Sequence, residues 1–221
     1  HDIIRYVQLG RIAGRVDLPD GGVVELDPAT AIGQRDHSWG VRPMASAAGA
    51  PPAKAPDWTF LAFMPVLMPS FCMHLYLFES APGRVVHLSA LIARADGSRP
   101  EVLKVEHDLQ WDVTAQAMTL TGGRMAILLT DGRRLDLTIR ARGPRVYLRG
   151  GGYGHDQGQY KGLLHKAADR YDLTDATRLR DYAHGSSDHM IEVDCEGETG
   201  HGIIEYIVRR GHPYYAGRGG P

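Results

Sequence analysis

Alternation of apolar and polar residues with a period of two is the feature that most limits how this chain folds. It is clearest where Leu135, Leu137 and Ile139 alternate with polar residues, a pattern that buries one face of a β-strand and leaves the other in water. Similar stretches recur along the sequence, at residues 6–16, 23–26, 58–64, 71–79, 85–93, 107–113, 145–148, 190–195 and 203–209. Many short strands predict an all-β fold, an antiparallel barrel or sandwich.

Turn residues separate these strands. The 221 residues include 27 Gly and 13 Pro, and Asp131-Gly132 predicts a two-residue hairpin turn between residues 125–130 and 135–139. Residues 44–56 and 150–158 are rich in small residues and predict loops. One short helix is predicted at residues 175–183.

Composition excludes several classes of protein. The chain carries 25 Lys and Arg against 26 Asp and Glu, a net charge of −1, which argues against nucleic-acid binding through bulk positive charge. No apolar run is long enough to cross a bilayer, and no leader sequence is visible. Cys72 and Cys195 are far apart in sequence, which favours buried free thiols and a cytoplasmic protein, with a disulfide as the alternative. A start at His1 without Met predicts a fragment or a trimmed chain.

Reactive side chains are concentrated at residues 33–42, in the sequence Arg35-Asp36-His37-Ser38-Trp39-Gly40. A carboxylate beside an imidazole can orient the ring for acid–base chemistry, so Asp36 and His37 are the candidate catalytic residues. Neighbours on a regular strand point to opposite faces, so the two cooperate only if the chain bends there. The alternative is structural: Asp36 pairs with Arg35 or Arg42 to lock an irregular corner, and Trp39 fills the end of the barrel.

Two strands place polar side chains on apolar faces. His74 and Tyr76 share one face of strand 71–79, which predicts either a ligand-facing surface or ordinary core packing. Glu205 lies between Ile203 and Ile207 and must be paired, protonated or functional, or else meet solvent at the end of its strand. No metal-ligand spacing or nucleotide-binding motif occurs, so we expect no metal and no cofactor.

The box at residues 35–40, with the ending Gly202-Ile203-Ile204-Glu205-Tyr206, resembles uncharacterised bacterial proteins related to AttH and to carotenoid 1,2-hydratase (hydroxyneurosporene synthase). That family resemblance implies lipocalin-like (calycin) β-barrels in tandem. Residues 1–56 would be the end of a first barrel and residues 57–221 a second barrel.

The resemblance implies a cavity for a hydrophobic small molecule such as a lipid or an isoprenoid. We therefore carry two hypotheses: a binding module for such a ligand, and an acid–base hydratase, isomerase or cyclase that acts on an apolar alkene. In the second, Asp36 would donate a proton or tune His37, and the ring of Trp39 would stabilise a cation. The predicted ligand-binding residues are Trp39, Arg42, Trp58, His74, Tyr76 and Glu205.

Overall fold

Antiparallel β-strands make up most of the structure, a computed structural model that describes residues 2–41, 57–113, 118–148, 162–164, 166, 174, 186–209 and 212–214. In chain order the strands are β1 (Asp2–Arg11), β2 (Gly14–Asp17), β3 (Val23–Leu26), β4 (Ile32–Val41), β5 (Phe60–Leu67), β6 (Phe71–Ala81), β7 (Arg84–Arg94), β8 (Val102–Val113), β9 (Met118–Leu129), β10 (Arg134–Leu148), β11 (Ser186–Cys195) and β12 (Glu198–Val208). The described residues contain no helix.

Strands β5 to β12 form one eight-stranded sheet that curls into a barrel. Consecutive strands pair from β5 to β7 and from β8 to β12, and β12 returns to pair with β5. Strands β7 and β8 touch without a backbone ladder between them. This up-and-down order in a nearly closed sheet is the architecture of lipocalins. The predicted all-β, lipocalin-like barrel is therefore confirmed, and the sandwich is excluded.

The inward faces of the barrel strands pack into a single apolar core, because each strand turns its alternate residues inward. Its largest buried side chains include Phe60, Met64, Leu75, Ile127 and Tyr206. Close strand spacing depends in part on Gly202, where a Cβ would collide with the carbonyl oxygen of Pro65 on β5.

Strand β5 is buried on both faces. Phe60, Ala62 and Met64 point into the core, while Leu61 and Phe63 on the opposite face are equally shielded from water. Part of this cover is a two-stranded ribbon of β1 and β4, which lies against the outside of the barrel near β5. A smaller hairpin, β2 with β3, is separate from both sheets.

The prediction of an irregular corner at residues 33–42 is wrong. Residues 32–41 form the regular strand β4, which pairs with β1 without a break from Ile32 opposite Arg11 to Val41 opposite Asp2. The physical reason is that β1 supplies a hydrogen-bonding partner along the whole box, a long-range contact that the local sequence does not reveal.

The predicted two-residue turn at Asp131-Gly132 is also wrong. Such a turn needs positive φ at both central residues, whereas only Gly132 has it there, and the amide of Leu129 bonds the carbonyl of Arg133 across a three-residue loop. A two-residue turn with positive φ at both central residues occurs at Glu196-Gly197, with φ of 50° and 83°, and joins β11 to β12.

Several predictions fall where the structure gives no description: the helix at residues 175–183 and the loops at 44–56 and 150–158. The division at residue 56 stays a prediction. Cys72 and Cys195 are both free thiols, as the sequence favours. In the described part of the chain no helix has the length and apolar character of a membrane span, and a cytoplasmic location stays a prediction.

Candidate functional site

A row of four residues crosses the outer face of the barrel where the ribbon approaches it. Strand pairing places Asp188 on β11 opposite Glu205 on β12, Glu205 opposite Phe63 on β5, and Phe63 opposite Tyr76 on β6. Directly opposite residues of antiparallel strands project on the same side, about 5 Å apart at Cβ. Two carboxyl groups and two aromatic rings therefore share one strip of the outer face.

The pKa of the Asp188 carboxyl group is strongly shifted. Burial, then the negative charges of Glu205 and Asp36, raises the pKa of Asp188 to about 7. Two carboxylates placed side by side cannot easily both ionise, so one keeps its proton. At neutral pH Asp188 can therefore donate a proton while Glu205 serves as the neighbouring acceptor.

The ribbon contributes a charged pair on the side that faces the barrel. Arg5 and Asp36 lie on the barrel-facing side of β1 and β4, with Arg5 Nε 3.3 Å from Asp36 Oδ1. The guanidinium carbon of Arg5 lies 5.2 Å from the centroid of the Phe63 ring and 5.5 Å from that of Tyr76, within the range of a cation–π contact. Arg5 thus joins the ribbon to the aromatic half of the strip.

His74 lies on the same outer face of β6, two residues before Tyr76. Its ring packs edge-on against Phe63, with 5.2 Å between centroids. Burial and the positive charge of Arg5 lower the pKa of His74, and the carboxylate of Asp36 partly opposes them. A neutral imidazole at pH 7 can accept a proton or a hydrogen bond.

Three buried polar atoms on the facing sides of the barrel and the ribbon have no hydrogen-bond partner among the described residues. Asp188 Oδ1 and His74 Nε2 are shielded from solvent, as is Oε1 of Gln34 on the barrel-facing side of β4. An unmet buried polar atom costs on the order of 1–3 kcal/mol. Such atoms together indicate a site built to receive a polar group or water.

Four of the predicted site residues meet in this region: Asp36, His74, Tyr76 and Glu205. His37 and Trp39 do not join them, because they lie on the far side of the ribbon, where His37 stacks on Tyr6 at 5.4 Å. Regular alternation along β4 separates Asp36 from His37, so the two do not act as a pair.

Trp58 lies at the edge of the same outer face. It packs against Phe78 at 5.2 Å, and Phe78 packs against Tyr76 at 4.7 Å, so a chain of rings leads from Trp58 to the site. The guanidinium of Arg209 covers Trp58 at 4.0 Å. Arg42 lies outside the described residues.

Sequence reasoning missed Asp188 and Arg5. The turn at Glu196-Gly197 could have identified Asp188, because it pairs Cys195 with Glu198 and so fixes the register of the two strands. Seven residues further from the turn on each strand, Asp188 pairs with Glu205. Arg5 had no comparable signal, because its position depends on how the ribbon packs on the barrel.

Among the described residues no three His, Cys, Asp or Glu side chains stand close enough to hold a metal ion together. A separate open groove of about 500 Å³ lies over β8, β9 and β10. Its lining includes Arg134, which pairs with Glu106 and Asp136.

The chain belongs to a family of unknown function, DUF8625, whose model matches residues 1–215. No curated protein matches the sequence. Among solved structures it is similar to kievitone hydratase from Nectria haematococca, with a TM-score of 0.44 and 12% identity over 92% of this chain and 53% of that chain.

It is also similar to CghA, with a TM-score of 0.43 and 13% identity over 88% of this chain and 50% of that chain. For CghA with Sch210972 the TM-score is 0.42 and the identity 14%. The chain thus spans about half the length of these proteins. The resemblance to AttH and carotenoid 1,2-hydratase, with the bacterial origin that it implies, stays a prediction.

Proposed function

We propose that the strip beneath the ribbon is an acid–base site that protonates a carbon–carbon double bond of an apolar small molecule, as a hydratase, isomerase or cyclase does. The observation that carries this proposal is the pairing of Asp188 with Glu205, in which the pKa of Asp188 is raised to about 7. An acid poised near neutral pH is the group that general acid catalysis needs.

In the proposed reaction the carboxyl proton of Asp188 is transferred to one alkene carbon, and the positive charge develops on the other. Water then attacks the positively charged carbon, and the surplus proton of the water passes to Glu205 or back to Asp188. The net change is the addition of one water molecule; loss of a neighbouring proton instead gives an isomer. His74, neutral at pH 7, is positioned to accept a hydrogen bond from the attacking water.

Asp36 is a positioning residue in this scheme. Its charge contributes to the raised pKa of Asp188, and its contact with Arg5 holds the ribbon against Phe63 and Tyr76. Binding of the apolar part of the substrate is assigned to the ring chain of Phe63, Tyr76 and Phe78.

A binding module for a hydrophobic small molecule is the second candidate, and the half-buried rings of Trp58, Phe78 and Tyr76 favour it. A ligand held by these rings needs no proton transfer. The packed apolar core favours this outer face over the barrel interior as the place for the ligand.

Incubation of the protein in D2O with a panel of terpenoid and aryl alkenes tests the proposal. Protonation by the enzyme leaves a non-exchangeable deuterium on carbon, which mass spectrometry detects whichever product forms. Asp188→Asn should lower the rate by roughly 100- to 10,000-fold. The matched control is Asp194→Asn on the same strand, whose carboxylate is engaged by Arg140 and Thr199, and it should leave the rate unchanged.

Extraction of the purified protein followed by mass spectrometry separates the two candidates. A binding module should yield a co-purifying apolar compound that Asp188→Asn retains, with no deuterium incorporation by either form. Equal deuterium incorporation by the native protein and by Asp188→Asn would contradict the acid–base proposal.

A further inference from the structure

Tyr214 packs, half-buried, into the end of the barrel where β5 begins and β12 stops. Four rings surround its side chain, with centroid distances of 4.7 Å to His212, 5.4 Å to Trp111, 5.8 Å to His107 and 5.9 Å to Phe60. The residue does not belong to a strand, and it reaches this place from the short segment 212–214 that follows β12. An aromatic side chain thus occupies an aromatic box within the barrel mouth.

The hydroxyl group of Tyr214 both accepts and donates a hydrogen bond. The backbone amide of Leu109 donates to its oxygen at 3.0 Å, and the oxygen lies 2.7 Å from Nδ1 of His107. With the amide as donor, the hydroxyl proton is available to Nδ1, which leaves the proton of the imidazole on Nε2.

Glu79 completes this arrangement. Its Oε2 lies 3.0 Å from Nε2 of His107 and accepts that proton, while its Oε1 accepts the backbone amide of Gly83. Both His107 and Glu79 are buried, with side-chain exposures of 4% and 1%. The pair therefore fixes Nδ1 of His107 as an acceptor that faces a hydroxyl donor.

The box also holds a polar atom that Tyr214 does not use. Nδ1 of His212 accepts the backbone amide of Tyr214 at 3.2 Å, which places the ring proton on Nε2. Nε2 of His212 is buried and has no hydrogen-bond partner among the described residues. A ligand carrying a further acceptor could therefore make one bond more than Tyr214 does.

We propose that this end of the barrel is a binding site for a small phenol, and that Tyr214 is a built-in occupant which a free phenol displaces. The aromatic box supplies the apolar contact, Nδ1 of His107 accepts the phenol hydroxyl, and the amide of Leu109 donates to its oxygen. This site lies inside the barrel and is independent of the outer strip that contains Asp188.

Calorimetric titration with 4-methylphenol, which reproduces the side chain of tyrosine, tests the proposal against two matched ligands. Toluene lacks the hydroxyl, and 4-methylanisole cannot donate a hydrogen bond. Tyr214→Gly empties the box. This variant should bind 4-methylphenol at least about tenfold more tightly than toluene, because the phenol hydroxyl makes two hydrogen bonds that toluene cannot make. 4-Methylanisole should also bind more weakly than 4-methylphenol.

The native protein and Tyr214→Phe show whether the occupant is displaceable. Competition from the Tyr214 side chain reduces the apparent affinity to the intrinsic affinity multiplied by the fraction of molecules in which that side chain is withdrawn. Affinity for 4-methylphenol should therefore rise from the native protein to Tyr214→Phe and again to Tyr214→Gly. If Tyr214→Gly does not fold, the comparison of the native protein with Tyr214→Phe tests the proposal. The expected gain in affinity for 4-methylphenol is about fivefold, because Tyr214→Phe loses one or two hydrogen bonds.

Two outcomes would overturn the proposal. One is equal binding of 4-methylphenol and toluene by Tyr214→Gly or, if that variant does not fold, no gain in affinity from the native protein to Tyr214→Phe. The other is loss of 4-methylphenol binding in Asp188→Asn, which would place the phenol on the outer strip. In the native protein, saturating 4-methylphenol should also speed hydrogen exchange at the amide of Tyr214, and toluene should not.

Discussion

The outer strip and the barrel end use the same kinds of side chain in opposite ways. At the barrel end, Glu79, His107 and Tyr214 form a continuous hydrogen-bonded series that ends on backbone amides. On the outer strip, the carboxyl groups of Asp188 and Glu205 face each other and Oδ1 of Asp188 has no hydrogen-bond partner among the described residues.

This difference separates a carboxyl group that stabilises the fold from one that is available for chemistry. A buried carboxylate with a complete set of donors is stable as an anion. A buried carboxyl group beside another negative charge instead holds its proton to higher pH. Removing each group should therefore have opposite effects on stability.

Glu79→Ala should have the largest effect on stability. It leaves His107 without its acceptor in a buried network, and breaking such a pair costs about 3–5 kcal/mol, so Tm should fall by roughly 10 °C. Thermal unfolding followed by circular dichroism measures the change. Glu106→Ala is the matched control on the exposed face of β8, and it should leave Tm nearly unchanged. A small decrease in Tm for Glu79→Ala would show that this network does not stabilise the fold.

Asp188 should make the free energy of unfolding fall as pH rises. The native protein keeps the proton of Asp188 up to about pH 7, whereas the unfolded chain releases it near pH ~4. The native state therefore binds more protons between these values, and stability declines across that window by up to about 4 kcal/mol.

Asp188→Asn removes this dependence, because the amide does not titrate. The variant should match the native protein near pH 4 and exceed its stability at pH 8, as urea denaturation at the two pH values will show. A variant that is less stable than the native protein at pH 8 would mean that the fold stabilises the ionised carboxylate of Asp188.

Most of the barrel could be predicted from local sequence, and the pairing of charged residues could not. Alternation at residues 71–79 and 107–113 fixes which side chains point inward, because the period of a strand is two. This alternation also predicts that His107, Leu109 and Trp111 share one face. That His107 meets Glu79 and Tyr214 depends on how the sheet closes, which no local pattern contains.

The box at residues 35–40 shows the same limit. Its residue types indicate catalysis, and Asp36 does lie near the carboxyl pair. Its neighbour His37 lies on the other face of β4, since the partner strand β1 keeps the box extended. Local composition identifies the segment, and long-range pairing decides which of its side chains face the barrel.

Glu205→Gln should lower the pKa of Asp188 without returning it to its ordinary value, because burial is the larger cause of the shift and the charge of Glu205 the second. Titration of carbon-13-labelled aspartate by NMR measures this pKa directly. Glu192→Gln on β11, whose carboxylate is engaged by Arg140 and Arg142, serves as the control and should leave it in place. An unchanged pKa in Glu205→Gln would show that the two carboxyl groups do not interact.

Asp36→Asn should have the smallest effect, and its direction is specific. The charge of Asp36 raises the pKa of both Asp188 and His74, and it is the last of the causes in each case, so both values should fall slightly in the variant. Its half-exposed contact with Arg5 adds no more than about 1 kcal/mol to stability. His37→Gln, one residue along β4 on the opposite face, is the control and should change neither pKa. Equal changes in the two substitutions would show that the effect of Asp36 does not depend on its facing the barrel.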